Sequence, residues 1–174
     1  MTILAGIAVE LTTSNESQSG TDDHLYVGIV GKGGGREFAL ATPSEDFESG
    51  TELFLLGDIW DSTVTSVPSA KKPFDSEPGG ENDPVRALIE AELVDYVYLR
   101  KQGDNTEEDD DVYRLRRVTV SLFFSIDVTG AGRRVDYEFI APAQKPWLTL
   151  ANENGHTVYL HEVADPLGES IAPV

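Results

Sequence analysis

The chain has 174 residues, enough for one domain with a substantial core, and carries 31 acidic side chains against 13 Lys and Arg, a net charge of −18. That balance argues against a basic track for nucleic acid, and the absence of cysteine excludes a disulfide framework, a thiolate metal centre and a thiol nucleophile. No apolar run reaches the length of a transmembrane segment and no signal peptide is visible, so a cytoplasmic location is the default expectation unless the chain is exported by another route or with a partner.

Ile3, Ala5, Ile7, Val9 and Leu11 alternate with polar or small neighbours, the period of a half-buried strand. Residues 12–23 predict a loop, with Asn15, Ser17, Ser19 and Gly20, and a second strand follows at about 24–30. Gly31-Lys32-Gly33-Gly34-Gly35 predicts a hairpin into a third strand at about 36–41. It lacks the helix and the Gly-Lys-Ser/Thr ending of a phosphate-binding loop. A second loop, 42–50, leads to a fourth strand at about 52–60.

Residues 61–92 read as a long irregular insertion, with Pro68, Pro73, Pro78 and Gly79-Gly80. Its part 62–80 is expected at the end opposite the acidic loops, partly mobile, and removable without unfolding the domain. Asp83-Pro84 predicts the N-cap and first position of a short helix over 85–91. A fifth strand at about 93–100 and a third loop, 101–111, come next. The sixth strand, 118–128, is the clearest: Val118, Val120, Leu122, Phe124, Ile126 and Val128 alternate, with Phe123 interrupting the polar face. Strands at 133–140 and 158–163 complete the set, with a tail at 164–174. These elements predict an all-β fold, an antiparallel eight-stranded β-sandwich spanning 1–163 with one long irregular insertion.

Acidic residues concentrate in three loops, at Asp22-Asp23, Glu45-Asp46 and Asp109-Asp110-Asp111. In an antiparallel sandwich successive connections alternate between the two ends, and by that count all three loops fall at one end. Clustered carboxylates repel one another and raise each other's pKa, a cost that a hard cation such as Ca²⁺ removes. A solvated acidic rim is the other reading. His24, His156 and His161 lack zinc-motif spacing, and no nucleophile-elbow sequence is present, so enzymatic chemistry is not expected. Tyr96, Tyr98, Phe123 and Phe124 suit the core or a sheet face, and Trp60 and Phe74 lie in or beside the insertion.

The run Gly20-Thr21-Asp22-Asp23-His24-Leu25-Tyr26-Val27-Gly28-Ile29, followed by its glycine hairpin, resembles the opening of the PLAT (lipoxygenase-homology) domain, in the form found in the C-terminal domain of clostridial alpha-toxins. The resemblance continues through Glu45-Asp46-Phe47-Glu48-Ser49-Gly50, Val97-Tyr98-Leu99-Arg100-Lys101, Asp111-Val112-Tyr113 and Trp147-Leu148. It implies a non-enzymatic module that binds a phospholipid membrane surface or a partner protein, in some members with Ca²⁺. It further implies metal ligands at Thr21, Asp22, Glu45 and Asp46, and a weaker neighbouring site at Gly20, Asp111 and Val112, the last through its carbonyl. Gln18 and Glu45 depart from that pattern, which has aspartate and asparagine there. The alternative is a metal-independent protein-interaction or structural subunit with an acidic solubility or salt-adapted surface.

Overall fold

The computed structural model describes residues 2–43, 47, 49–102, 112–125, 132–151 and 154–163. The alternating stretches form β1 (Leu4–Thr13), β2 (His24–Gly31), β3 (Gly34–Ala39), β4 (Gly50–Gly57), β5 (Val94–Gln102), β6 (Tyr113–Phe124), β7 (Arg133–Ile140) and β9 (Thr157–Glu162). A three-residue strand that the sequence reading did not count, β8 (Leu148–Leu150), pairs with the first residues of β6. All pairings between these strands are antiparallel, in the order β3-β2-β5-β9-β7-β6-β1-β4.

β9 is the fold line. Residues 157–160 pair with β5, whereas His161 and Glu162 pair with β7, so the sheet curls there and its two halves face each other. Ile7, Val9 and Leu11 of β1, Leu25, Val27 and Ile29 of β2, and Val97 and Leu99 of β5 meet in one core. Val118, Val120 and Leu122 of β6 are fully buried in it and Phe124 nearly so, as their period requires. Ile126 and Val128 lie outside the described residues. Burying each such Leu or Phe contributes about 1.5–3 kcal/mol.

The expectation for the insertion is corrected. The segment after β4 crosses the outer face of the β4-β1-β6-β7 half instead of hanging from its far end. Trp60 meets Phe123 edge-on at 5.5 Å, and Ile59, Val64 and Ala70 pack with Phe123, Leu55 and Ala8 in a second apolar cluster. This explains the break in the polar face of β6: Phe123 has a layer above it. A short helix, α1 (Ser62–Thr65), is capped by Asp61, whose carboxylate accepts from Thr63 N and also pairs with Arg134 at 3.0 Å.

Beyond α1 the chain closes both open sheet edges. Lys71 exchanges backbone hydrogen bonds with Leu53 and Leu55 along β4, at 2.7 and 2.9 Å. The Asn82 side chain accepts from Ala39 N and donates to Ala39 O at 3.1 and 2.8 Å, occupying the edge of β3. Covered edges lose their capacity for stray pairing. The predicted helix at 85–91 is a shorter 3₁₀ turn, Pro84–Ala87, with Asp83 as cap and Pro84 first as expected. Leu88 enters the left-handed region (φ 52°) and ends it, and a second turn, Ala91–Leu93, leads into β5.

Candidate functional site

The ends of β1, β3 and β5 and the starts of β2, β4 and β6 lie together. Thr13 pairs with Gly50 and Leu115, and His24 with Gln102. Between them, Thr21 and Phe47 exchange two backbone hydrogen bonds, 3.1 and 2.9 Å, joining the first loop to the second. Ser14 N donates to Arg114 O (2.9 Å), and Arg114 N donates to Ser19 O (3.0 Å), joining the first loop to the start of β6. The Arg114 guanidinium adds a 3.0 Å bond to Ser17 O. The count of alternating connections thus brings the described parts of the three loops to one end.

There, residues 15–22 with Phe47 and Ser49 line an open pocket of about 550 Å³. Of the ligands implied by the resemblance, Gly20, Thr21 and Asp22 stand in its wall, and Val112 is 38% exposed just before β6. Glu45, Asp46 and Asp111 lie outside the described residues. Among the described residues no three His, Asp or Glu side chains converge as a metal cluster.

The pocket offers hard oxygen donors, the chemistry calcium takes. Asp22 presents an exposed carboxylate. Ser19 contributes to the wall, and its buried Oγ has no hydrogen-bond partner among the described residues. Thr21 is placed as expected, but its hydroxyl is turned inward: it accepts from Asp23 N (3.1 Å) and donates to Asp23 Oδ2 (3.3 Å). Its carbonyl already accepts from Phe47 N, which leaves one lone pair for another partner.

Asp22 and Asp23 are neighbours with opposite fates. Asp23 is buried, and its carboxylate pairs with the ammonium of Lys101, which is fully enclosed. Lys101 N donates to His156 O at 2.9 Å, and His156 Nδ1 lies 3.2 Å from Lys101 O, tying the end of β5 to the approach to β9. Sequence reasoning did not single out Lys101 as part of this end, although the signal was present. Val97, Leu99 and Lys101 share one side of β5, Leu25 and Val27 share one side of β2, and Asp23 immediately precedes that row. Close by, the Tyr113 hydroxyl bonds Thr13 Oγ1 at 2.9 Å, and burial pushes the Tyr113 phenol well above its usual pKa.

The outer face of the β3-β2-β5-β9 half differs from the covered one. The Tyr98 ring lies flat across Gly28, where a Cβ would stand 2.0 Å from the ring. Its hydroxyl is 3.1 Å from Glu37, and Glu37 takes two bonds from Arg100 at 2.6 and 2.7 Å. The Arg100 hydrogen bond holds the Glu37 carboxyl below its ordinary pKa, against the opposing effect of burial. Tyr96 and Tyr159, each 61% exposed, pack beside one another on this face at 6.3 Å.

No family model matches the sequence, and no curated protein matches it. Among solved structures, an alpha toxin from Clostridium absonum superposes with a TM-score of 0.53 at 19% identity, covering 91% of this chain and 31% of the toxin. An alpha-toxin from an avian strain of Clostridium perfringens gives a TM-score of 0.46 at 16% identity, over 80% of this chain and 31% of that one. A coral 8R-lipoxygenase, described as calcium-activated via a C2-like domain, gives 0.47 at 17% identity, over 91% of this chain and 17% of that one. The fold is a PLAT-like β-sandwich, shared with the matched part of the Clostridium absonum toxin. This chain spans about a third of that toxin's length.

Proposed function

We propose that the domain is a non-enzymatic docking module whose loop end binds calcium and attaches to an anionic phospholipid surface. The observation that supports this is that the first acidic loop is tied to the second by Thr21–Phe47 and to the start of β6 by Arg114–Ser19, beside a pocket of oxygen donors. Asp22 and the Thr21 carbonyl form the described side of the principal site, and Gly20 that of its weaker neighbour. Glu45 and Asp46 are proposed to complete the principal site, and Asp111 and Val112 to join Gly20 in the weaker one beside it. Bound calcium supplies the positive charge that bridges the rim to lipid headgroups. Without that charge, the carboxylates of the rim repel an anionic leaflet.

An exposed loop site of this kind is expected to bind with a Kd of about 10⁻⁴–10⁻³ M. At ten times Kd, linkage stabilises the fold by about 1.4 kcal/mol, which raises Tm by roughly 3–5 °C for a domain of this size. The deciding experiment is co-sedimentation with phosphatidylserine vesicles in CaCl₂, in EDTA, and in NaCl at matched ionic strength. Calcium-specific pelleting that Asp22→Asn with Asp46→Asn abolishes supports the proposal. Identical behaviour in CaCl₂ and NaCl rejects it.

A second reading rests on a different observation, the open tyrosine face carrying Tyr96 and Tyr159. Exposed tyrosines are enriched at protein interfaces. Calcium binding without lipid association would favour a protein partner at that face, with calcium acting structurally.

A further inference from the structure

We infer that Lys101 is the loop end's resident cation: its ammonium holds the innermost anionic position, at Asp23, so that the loops assemble before any metal arrives and calcium acts only on the outer ligands. The inference deepens the calcium reading, and its second half rests on that reading.

The geometry places this charge at the junction of four segments. Lys101 ends the inward row of β5 and is completely enclosed, and its ammonium contacts the Asp23 carboxylate. That carboxylate also accepts from the Thr21 hydroxyl, and Thr21 is the residue whose backbone grips Phe47 of the second loop. On its other side, Lys101 binds His156 through its own backbone. One ammonium therefore anchors the first loop, and through Thr21 the second, to β5 and to the approach to β9. A buried carboxylate here needs an opposite charge close by, because an isolated buried ion is strongly disfavoured. An ammonium carried on the chain supplies it at every calcium concentration, whereas a metal would make assembly of the loops conditional on calcium. The arrangement separates two anions that are adjacent in sequence. Asp23 is neutralised internally, and the exposed Asp22 is left to the outside.

The test compares wild type, K101M, D23N and D23N/K101M by thermal melting in EDTA and in millimolar CaCl₂ at matched ionic strength. In EDTA, K101M is expected to melt about 10 °C below wild type, because breaking a buried pair strands its partner charge. The double variant should melt above K101M, since it no longer buries the Asp23 carboxylate without its ammonium. In CaCl₂, K101M should gain at least twice the wild-type shift, because its released Asp23 carboxylate becomes a further oxygen ligand for calcium, and the double variant should lose that excess. Additive losses in the double variant, or a K101M calcium shift no larger than that of wild type, would overturn the inference. Should K101M not fold, its rescue by D23N decides: a D23N/K101M variant that fails to fold as well overturns it. A large K101M response with no wild-type response refutes the proposed calcium function and leaves Lys101 as resident cation. Equal responses in the two proteins do the reverse.

Discussion

Residues 61–92 and residues 13–23 have similar local character, turn-forming, polar and acid-bearing, yet the fold uses them in different ways. In the insertion several acids are taken up by structure. Asp61 caps α1 and pairs with Arg134, Glu77 pairs with Lys72 at 2.7 Å, and Asp83 accepts from Gly79 N and Val85 N at 2.6 and 3.0 Å. Among the acids of residues 13–23, Asp23 is treated in that way. Asp22 is exposed, and no described residue pairs with it. Acid content alone therefore does not mark a site. At the loop end the exposed Asp22 stands in the wall of a pocket whose backbone is tied to the second loop and to β6.

The sharpest way to break this comparison is to remove the insertion. Deleting residues 62–80 uncovers Phe123 and Leu55 and frees the β4 edge that Lys71 occupies. The expected outcome is aggregation and loss of the β-sheet circular-dichroism signal. A soluble, folded deletion variant would return the insertion to the status of a detachable loop. Phe123→Ala isolates the packing component and is expected to cost about 3–4 kcal/mol by urea denaturation, as for other buried aromatics. Equivalent truncation of Phe74, which is 51% exposed, should cost far less.

The cap is the next smaller effect. Asp83→Ala removes two backbone acceptor contacts at a buried position, and the expected loss is about 1–2 kcal/mol, readable as a Tm drop of roughly 3–6 °C. Asp83→Asn should recover part of it. The cap and the proline after it were legible in the sequence because a helix start is a local event. The route of the insertion was not. Trp60 on Phe123 and Asn82 on Ala39 join residues 63 and 43 positions apart, and nothing local to either partner encodes the meeting. The core of β6 was legible for the opposite reason, since period two places Val118, Val120 and Leu122 on one side wherever the strand goes. The same rule already put Lys101 and Asp23 inside. A charged residue on an apolar row reads as an exception to the pattern until its partner is found on the neighbouring strand.

On the tyrosine face the expected effect is smaller and depends on pH. Arg100 lowers the Glu37 pKa in the folded protein, so the pair's contribution is fully present above the carboxyl's ordinary unfolded value. It is lost as pH falls through the lowered folded value. Glu37→Gln should therefore cost stability at neutral pH and nothing in strong acid, flattening the acid side of a plot of Tm against pH. A parallel displacement at every pH would mean that the side chain acts through packing and not through charge. The pair is partly exposed, so the neutral-pH cost should be less than that of Asp83→Ala.

The smallest change expected in the resting protein comes from Asp22→Asn, and it bears most directly on the contrast between consumed and free acid. An exposed carboxylate without a described partner contributes nothing that folding needs, so in EDTA the variant should melt at the wild-type temperature or slightly above it, as repulsion within the −18 chain falls. Its neighbour behaves oppositely, because Asp23→Asn removes a buried carboxylate that faces the enclosed Lys101 ammonium and should destabilise the fold without calcium. In CaCl₂ Asp22→Asn should lose most of the shift of roughly 3–5 °C expected for a millimolar site, while Mg²⁺ should produce little shift in either protein because it sheds its water reluctantly. A drop in EDTA as large as that of Asp23→Asn would mean that Asp22 too is held by the fold, and the outer position would no longer be free for a metal. An unchanged calcium shift would move the binding to the other carboxylates of the rim.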